Sequence, residues 1–489
     1  MSLAPSLQAR IDRLLVRADS LRERVGKDVH DQLTGNIFTA SRAITDTVVQ
    51  RTAPGAWDLD RLLDRWLTSP WGGFPVMVLV LAGVFWLTVA GANFPSAFLS
   101  GLLFGEHGLQ EFFATFLPGW ACPDLLARSG HGWLHLLAAH LGMPAWTTGL
   151  LIDGAYLCWA WVVAVMLPPM AIFFPLFTFL EDLGFLPRVA FNLDRFFRAV
   201  GGHGKQALCM AMGFGCNAAG VISCRIIESP RERLIAILTN TFVPCNGRWP
   251  TLILMSGLFL ASGVPAGFAT AVSMATLVAV TLLGILATAL LSLFLSRTLL
   301  RGVPSAFVLE LPPYRPPQVL RILYRSLIDR TWFVLKRAML CAAPAGAVIW
   351  LAAAIPVGGS SLFQVLAAWF DPFGRLLGLD GVILLAFILA LPANEIVVPI
   401  IIMGYLHLSR MTELEAPGPL FLQHGWSWLT AVCVMVFSLL HFPCATTTLT
   451  IWAETRDLRW TVLANLLPTC LAVGVCFIVA QGSRWLGLI

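Results

Sequence analysis

Three cysteines and one glutamate in this sequence stand where an α-helix is hard to sustain. Cys216 lies in Gly213-Phe214-Gly215-Cys216-Asn217 and Cys245 in Phe242-Val243-Pro244-Cys245-Asn246-Gly247. Cys444 lies in His441-Phe442-Pro443-Cys444-Ala445-Thr446, and Glu395 in Leu391-Pro392-Ala393-Asn394-Glu395. Proline removes an amide donor and clashes with the preceding turn, so carbonyls beside such breaks lose their intrahelical partners. Thiolates, freed carbonyls and the amide oxygens of Asn217 and Asn394 could converge on a cation. Mixed sulfur and oxygen ligation suits a borderline divalent transition metal better than Ca²⁺ or Mg²⁺.

Other candidates carry two readings each. Glu181 and Asp182 end a long apolar stretch, either as metal ligands or as an interfacial terminus paired with Arg188. His131 and His135, four apart, share one helical face, with His140 further on; this is either a capture site or an ordinary surface helix. Cys158, Cys341, Cys433, Cys470 and Cys476 fall on uninterrupted apolar runs and read as small hydrophobes, while Cys209 and Cys224, flanking the first break, stay undecided. Met210 and Met212 read as packing. Gly204-Lys205 is followed by Gln206 and Gly26-Lys27 by Asp28, so neither is a phosphate loop. Without Cys-x-x-Cys or His-Glu-x-x-His, a thiol redox protein or hydrolase finds no support, and the expectation is a transporter without catalytic residues or cofactor.

These residues need a bilayer around them. Of 489 residues 57% are hydrophobic and 12% charged, too few charges to cover a soluble protein of this size. Charge-free stretches from Gly154 to Leu180, Trp249 to Ser296, Ala338 to Phe370, Ala416 to Ala453 and Trp460 to Gly482 each exceed a bilayer crossing. The expectation is an all-α polytopic membrane protein with roughly nine to eleven membrane segments, counting half-passes. The net charge of +5 resides in a few loops, as the positive-inside rule expects, and offers no nucleic-acid signature. The clearest cytoplasmic loop runs from Arg297 to Arg337; the segment from Asn93 to Met143, holding one basic residue and four histidines, is placed outside. The first fifty residues lack the apolar core of a signal peptide, which predicts a cytoplasmic N-terminus.

Five regions follow: an amphipathic region 1–70, a first crossing and His-bearing segment 71–150, a membrane block 151–300, an Arg-rich linker 301–331, and a second block 332–489. Breaks at corresponding places in the two blocks point to a transport site, because unwound backbone survives in a membrane only where protein or a water-filled cavity satisfies it.

Several motifs together resemble the permease region of FeoB-type ferrous iron transporters: Leu180-Glu181-Asp182-Leu183-Gly184-Phe185-Leu186-Pro187-Arg188, Gly213 to Asn217, Glu310-Leu311-Pro312-Pro313-Tyr314-Arg315, and Pro443 to Thr446 with Glu454 beyond. The resemblance implies two gate-type repeat blocks with broken or re-entrant helices. It also implies Fe²⁺ as cargo into the bacterial cytoplasm, with Cys216, Cys245 and Cys444 lining the pathway. Mn²⁺, Zn²⁺ or a nucleoside remain alternatives. The chain departs from the family in having Ala393-Asn394-Glu395 where Ala-Lys-Glu is usual, and about 70 polar residues where a GTPase domain is usual. A separate cytoplasmic GTPase or small regulatory protein, and homo-oligomerisation, stay open as partnerships.

Overall fold

A computed structural model of the chain describes residues 29–48, 64–105, 128–262, 265–301, 318–414, 416–487 and a few isolated positions besides. The motif Glu310 to Arg315, part of the segment placed outside (residues 106–108, 111 and 114–127), and most of the predicted amphipathic region before residue 64 lie outside the described residues.

The charge-free stretches become helices whose apolar flanks face outward. An N-terminal helix α1 (Val29–Val48) precedes α2 (Pro70–Leu103), which starts where the Ser69 side chain accepts from the Gly72 amide with Pro70 in the first turn. Then come α3 (Gly130–His140), α4 (Ala145–Asp182), α5 (Phe185–Ala199), α6 (Gln206–Gly215), α7 (Asn217–Ser223), α8 (Pro230–Thr239), α9 (Trp249–Leu260) and α10 (Ala266–Arg297). The second half contains α11 (Val319–Ala354), α12 (Leu362–Leu376), α13 (Gly381–Leu389), α14 (Asn394–Tyr405), α15 (Gly418–Gln423), α16 (Trp428–Leu440), α17 (Ala445–Thr455) and α18 (Leu458–Trp485). A two-residue hairpin ladder, Pro356–Val357 with Ser360–Ser361, turns the chain between α11 and α12.

Among the described residues six helices are long and apolar enough to cross a membrane, or seven if the pair α12–α13, bent by 110°, counts as one span; α6, α9 and α14 are shorter apolar helices. The protein is an all-α, multi-pass membrane protein. On α10 the side chains of Met274, Val278, Leu282, Leu286, Leu290 and Phe294 are all exposed at four-residue spacing. In water that stripe would be a liability; against lipid tails it is the expected outer surface. Buried polar groups, by contrast, sit inside: Arg248, Asn217, Asn240, Asn394 and His441 are each 6% exposed or less.

Basic side chains gather at one end of the bundle. Arg188 pairs with Asp64, Arg330 with Glu181, Lys205 with Glu228 and Arg225 with Glu454. Relative to this arginine-rich face, the two halves run in opposite directions. The hairpin α6–α7 starts and ends there, closed by Lys205 Nζ donating to the Ile226 carbonyl at 3.1 Å. The hairpin α13–α14 starts and ends at the opposite face, where the Tyr405 hydroxyl donates to Asp380 and Trp426 Nε1 donates to that hydroxyl at 2.7 Å. The broken pair α8–α9 leads away from the arginine-rich face, and α16–α17 leads towards it. This is an inverted repeat, the arrangement that places discontinuous helices at mid-membrane.

Candidate functional site

The two hairpins break in the same way. Cys216, between α6 and α7, adopts φ −154° and ψ 123°; Ala393, before α14, adopts φ −156° and ψ 126°. An extended residue precedes each outgoing helix, directly after α6 in the first hairpin and after the turn at residues 390–392 in the second, and an asparagine, Asn217 or Asn394, opens that helix. With its amide oriented to donate, Asn217 reaches the Gly213 carbonyl at 3.1 Å and the Val243 carbonyl at 3.3 Å, satisfying acceptors that the breaks expose. Asn240 Nδ2 donates to the Asn217 carbonyl at 3.1 Å.

Each Pro-Cys step is stitched to the hairpin of its own half. The Asn246 amide, next after Cys245, donates to the Gly215 carbonyl at 3.3 Å; the Ala445 amide, next after Cys444, donates to the Leu391 carbonyl at 2.7 Å. Two further contacts join the halves. Arg248, fully buried, donates through Nη1 to the carbonyls of Thr241 (2.7 Å) and Leu439 (2.8 Å) and through Nη2 to that of His441 (3.3 Å). In the other direction, Glu395 lies against Gly247, where an added Cβ would come within 2.4 Å of the carboxylate.

The four breaks enclose one small cavity of about 30 Å³, lined by Cys216, Asn217, Cys245, Asn394, Glu395 and Cys444. Thr447 lines it too, and its hydroxyl is 3.3 Å from the Cys444 thiol. About 10–15 Å³ of such space holds one water, so the cavity has room for a single ion among surrounding donors. Six of the eight residues singled out from the sequence therefore meet at one point.

Glu181 and Asp182 do not line it. Both are exposed at the arginine-rich end of α4, where Glu181 pairs with Arg330 at 3.0 Å; Arg188 is taken by Asp64 at 2.6 Å. Glu181 lines a second, larger cavity of about 420 Å³, together with Lys205, Asp329 and Arg330. An apolar layer of Met170, Phe173, Phe177, Met212 and Ala219 packs around Cys216 between the two cavities. Phe173 lies over Gly215 so closely that a Cβ there would come within 2.2 Å of its ring.

Sequence reasoning missed Arg248. Its signal was available: a lone basic residue three positions after a Pro-Cys step, at the head of a long charge-free run, is costly in a membrane unless it holds something.

Two family descriptions match the sequence. That for the Gate nucleoside-recognition family covers residues 163–259 and 335–458, and that for the ferrous iron transport protein B C-terminus covers 277–329. A Fe(2+) transporter FeoB of Synechocystis is 26% identical over 90% of this chain and 66% of that protein. One from Staphylococcus aureus is 29% identical over 86% of this chain and 58% of its own length. The chain matches the membrane region of FeoB-type transporters. A Porphyromonas gingivalis relative, 26% identical over 75% of this chain and 48% of that protein, is a fusion of Fe(2+) transport protein A with such a FeoB. The chain thus spans between 48% and 66% of the length of these FeoB relatives. No solved structure gives a significant match.

Proposed function

We propose that this chain carries ferrous iron across the bacterial cytoplasmic membrane through the cavity where its four helix breaks meet. The observation that carries the reading is the convergence of Cys216, Cys245, Cys444 and Glu395, from both halves of an inverted repeat, on a space the size of one ion. The FeoB relatives, described as Fe(2+) transporters, supply the cargo. An ion entering a site this small must shed most of its water, and sulfur and carboxylate ligands replace that shell for Fe²⁺ better than for a hard cation. Asn217 is already engaged in holding the break, so its role is to shape the site. The freed backbone carbonyls and the Thr447 hydroxyl complete the donor set.

In the arrangement described, Phe173 and its neighbours separate the ion cavity from the larger one at the arginine-rich face. By the positive-inside rule that face, with Glu181 and Asp182, is cytoplasmic, and so is the N-terminal region. Glu181 and Asp182 then supply negative charge at the exit. A regulatory protein would act from this side, in keeping with the fused transport protein A of the Porphyromonas relative.

Purified chain in liposomes tests the reading. Fe²⁺ uptake should be present in the wild type and should fall at least tenfold in the triple variant Cys216→Ser, Cys245→Ser, Cys444→Ser. Uptake unchanged by the three substitutions would rule out a cysteine-lined pathway. Competition by Mn²⁺, Zn²⁺ and nucleosides in the same assay ranks the alternatives.

A further inference from the structure

At the face opposite the arginine-rich one, two histidines and a carboxylate meet outside the pathway described above. Helix α3 starts with Ser129 as its cap and presents His131 and His135 one turn apart. Both Nε2 atoms reach the same oxygen, Asp153 Oδ1, at 3.0 and 2.9 Å, and the three donor atoms lie within 4.8 Å of one another. Asp153 belongs to a π-helical turn, Gly149–Tyr156, in the first part of α4. Such turns are rare and recur at functional sites because the extra residue re-aims a side chain.

The turn is fixed from behind. Gly149 and Gly154 sit so close to Trp350 of α11 that a Cβ on either would come within 2.1 or 2.9 Å of it. Tyr156 fixes α3 in turn: its hydroxyl donates to the Leu103 carbonyl at 3.1 Å and leaves no room for a Cβ at Gly130. The three polar side chains are therefore held on rigid elements. Asp153 and Glu181 are 28 residues apart on one helix, roughly 40 Å at 1.5 Å per residue, so the cluster stands a full membrane away from the other cavity.

We propose that His131, His135 and Asp153 bind a divalent first-row transition-metal ion at this face, as the docking site from which cargo enters. Metal–ligand bonds of about 2.1 Å meeting near a right angle give a donor separation of about 3 Å, the observed imidazole–carboxylate spacing. Two imidazoles and one carboxylate leave coordination positions open, which suits an ion that must arrive hydrated and leave again. His135 is the solvent-facing ligand, 37% exposed at its side chain, against 10% for His131. The binding stands on this geometry alone; the docking role rests on the transport reading.

The test uses full-length chain carrying Cys216→Ser, Cys245→Ser and Cys444→Ser, so that no pathway thiol contributes, titrated with Co²⁺ and followed by visible absorption. One Co²⁺ per chain should bind with ligand-field bands and no sulfur charge-transfer band. Asp153→Asn and, separately, His131→Gln with His135→Gln should each weaken binding at least tenfold; His135→Ala, at the most exposed ligand, guards against loss of fold. Absence of Co²⁺ binding, or affinity unchanged in all three variants, overturns the site. In liposomes with the cysteines intact, Asp153→Asn should raise the Fe²⁺ concentration for half-maximal uptake while sparing the maximal rate; identical uptake curves overturn the docking role. Co²⁺ binding by the thiol-substituted chain, lost in its Asp153→Asn variant, together with a wild type that moves no Fe²⁺ would instead refute the transport reading and leave the site standing.

Discussion

Individual side chains divide here between those that hold the breaks and those free to meet an ion. Arg248 is of the first kind: three carbonyls from both halves end on one buried guanidinium. Each buried acceptor left unpaired costs about 1–3 kcal/mol, so Arg248→Ala should destabilise the protein by several kcal/mol. Arg248→Lys should recover only part of this, because its three donors radiate from one nitrogen and cannot span carbonyls met by two separate guanidinium nitrogens. Thermal unfolding in detergent, followed by tryptophan fluorescence, measures both. Glu395 is of the second kind, since no ion pair holds it among the described residues. Glu395→Gln, equal in shape, should preserve the melting temperature and reduce Fe²⁺ uptake at least tenfold; retained uptake would remove it from the pathway. At the arginine-rich face, burial holds His203 below the usual histidine pKa, with Glu232 opposing, and its Nδ1 accepts from the Lys205 amide at 3.0 Å. Stability from a histidine kept neutral is fully present above its unfolded pKa of about 6.5 and is lost as pH falls through the lower folded value. Melting temperature should therefore drop more steeply on acidification in the wild type than in His203→Gln. Much at this scale was legible in the sequence, because Pro-Cys, Gly-Cys and Ala-Asn-Glu steps advertise broken helices. Arg248 was not, because one of its partners, Leu439, is 191 residues away. The carboxylate that meets the histidine pair was hidden for another reason: Asp153 stands 22 and 18 residues from His131 and His135, just before a charge-free run.

Helices are the units that open and close such a site. Phe173 of α4 lies over Gly215 at the tip of the α6–α7 hairpin and stacks on Phe177 with ring centroids 5.6 Å apart. The two rings belong to one apolar cluster with Met170, which lines the ion cavity, and Met212, which lines the larger one with Phe177. Removing the ring should join the two spaces. Phe173→Ala should raise passive Fe²⁺ efflux from loaded liposomes several-fold, whereas Phe173→Leu, which keeps most of the volume, should stay near the wild type; equal leak in both would remove Phe173 as a barrier. A buried Phe→Ala also costs about 3–5 kcal/mol, so the leak is to be compared at temperatures where both variants remain folded. Charge-free length marked where the apolar helices lie, roughly nine to eleven segments being expected against six or seven long enough to cross and three shorter ones among the described residues, but their opposite sense in the two halves was not marked. Period and hydrophobicity are unchanged when a helix is inverted, and the repeat shares little more than Phe, Pro and Cys; only the hydrogen bonds closing each hairpin at opposite faces reveal its direction.

The whole molecule sets what moves across the membrane with the ion. Among the residues lining the ion cavity, Glu395 is the only carboxylate, and the Arg248 guanidinium is spent on backbone carbonyls. On the proposed reading, transfer of Fe²⁺ past these fixed groups would carry charge inward without a compensating ion built into the cavity. Moving one elementary charge through 100 mV is worth about 2.3 kcal/mol, hence about 4.6 kcal/mol for a divalent cation, or roughly three orders of magnitude in the equilibrium accumulation ratio. Liposomes holding this chain alone, given an inside-negative potassium diffusion potential, should accumulate Fe²⁺, and reversing the potential should abolish the accumulation. Accumulation indifferent to the potential would mean that another ion moves in compensation, or that a partner protein drives the cycle. Repeating the assay with Glu395→Gln ties the result to the site: that variant should lose flux at every potential, since only neutral oxygens and the thiols would remain to replace the water of the ion.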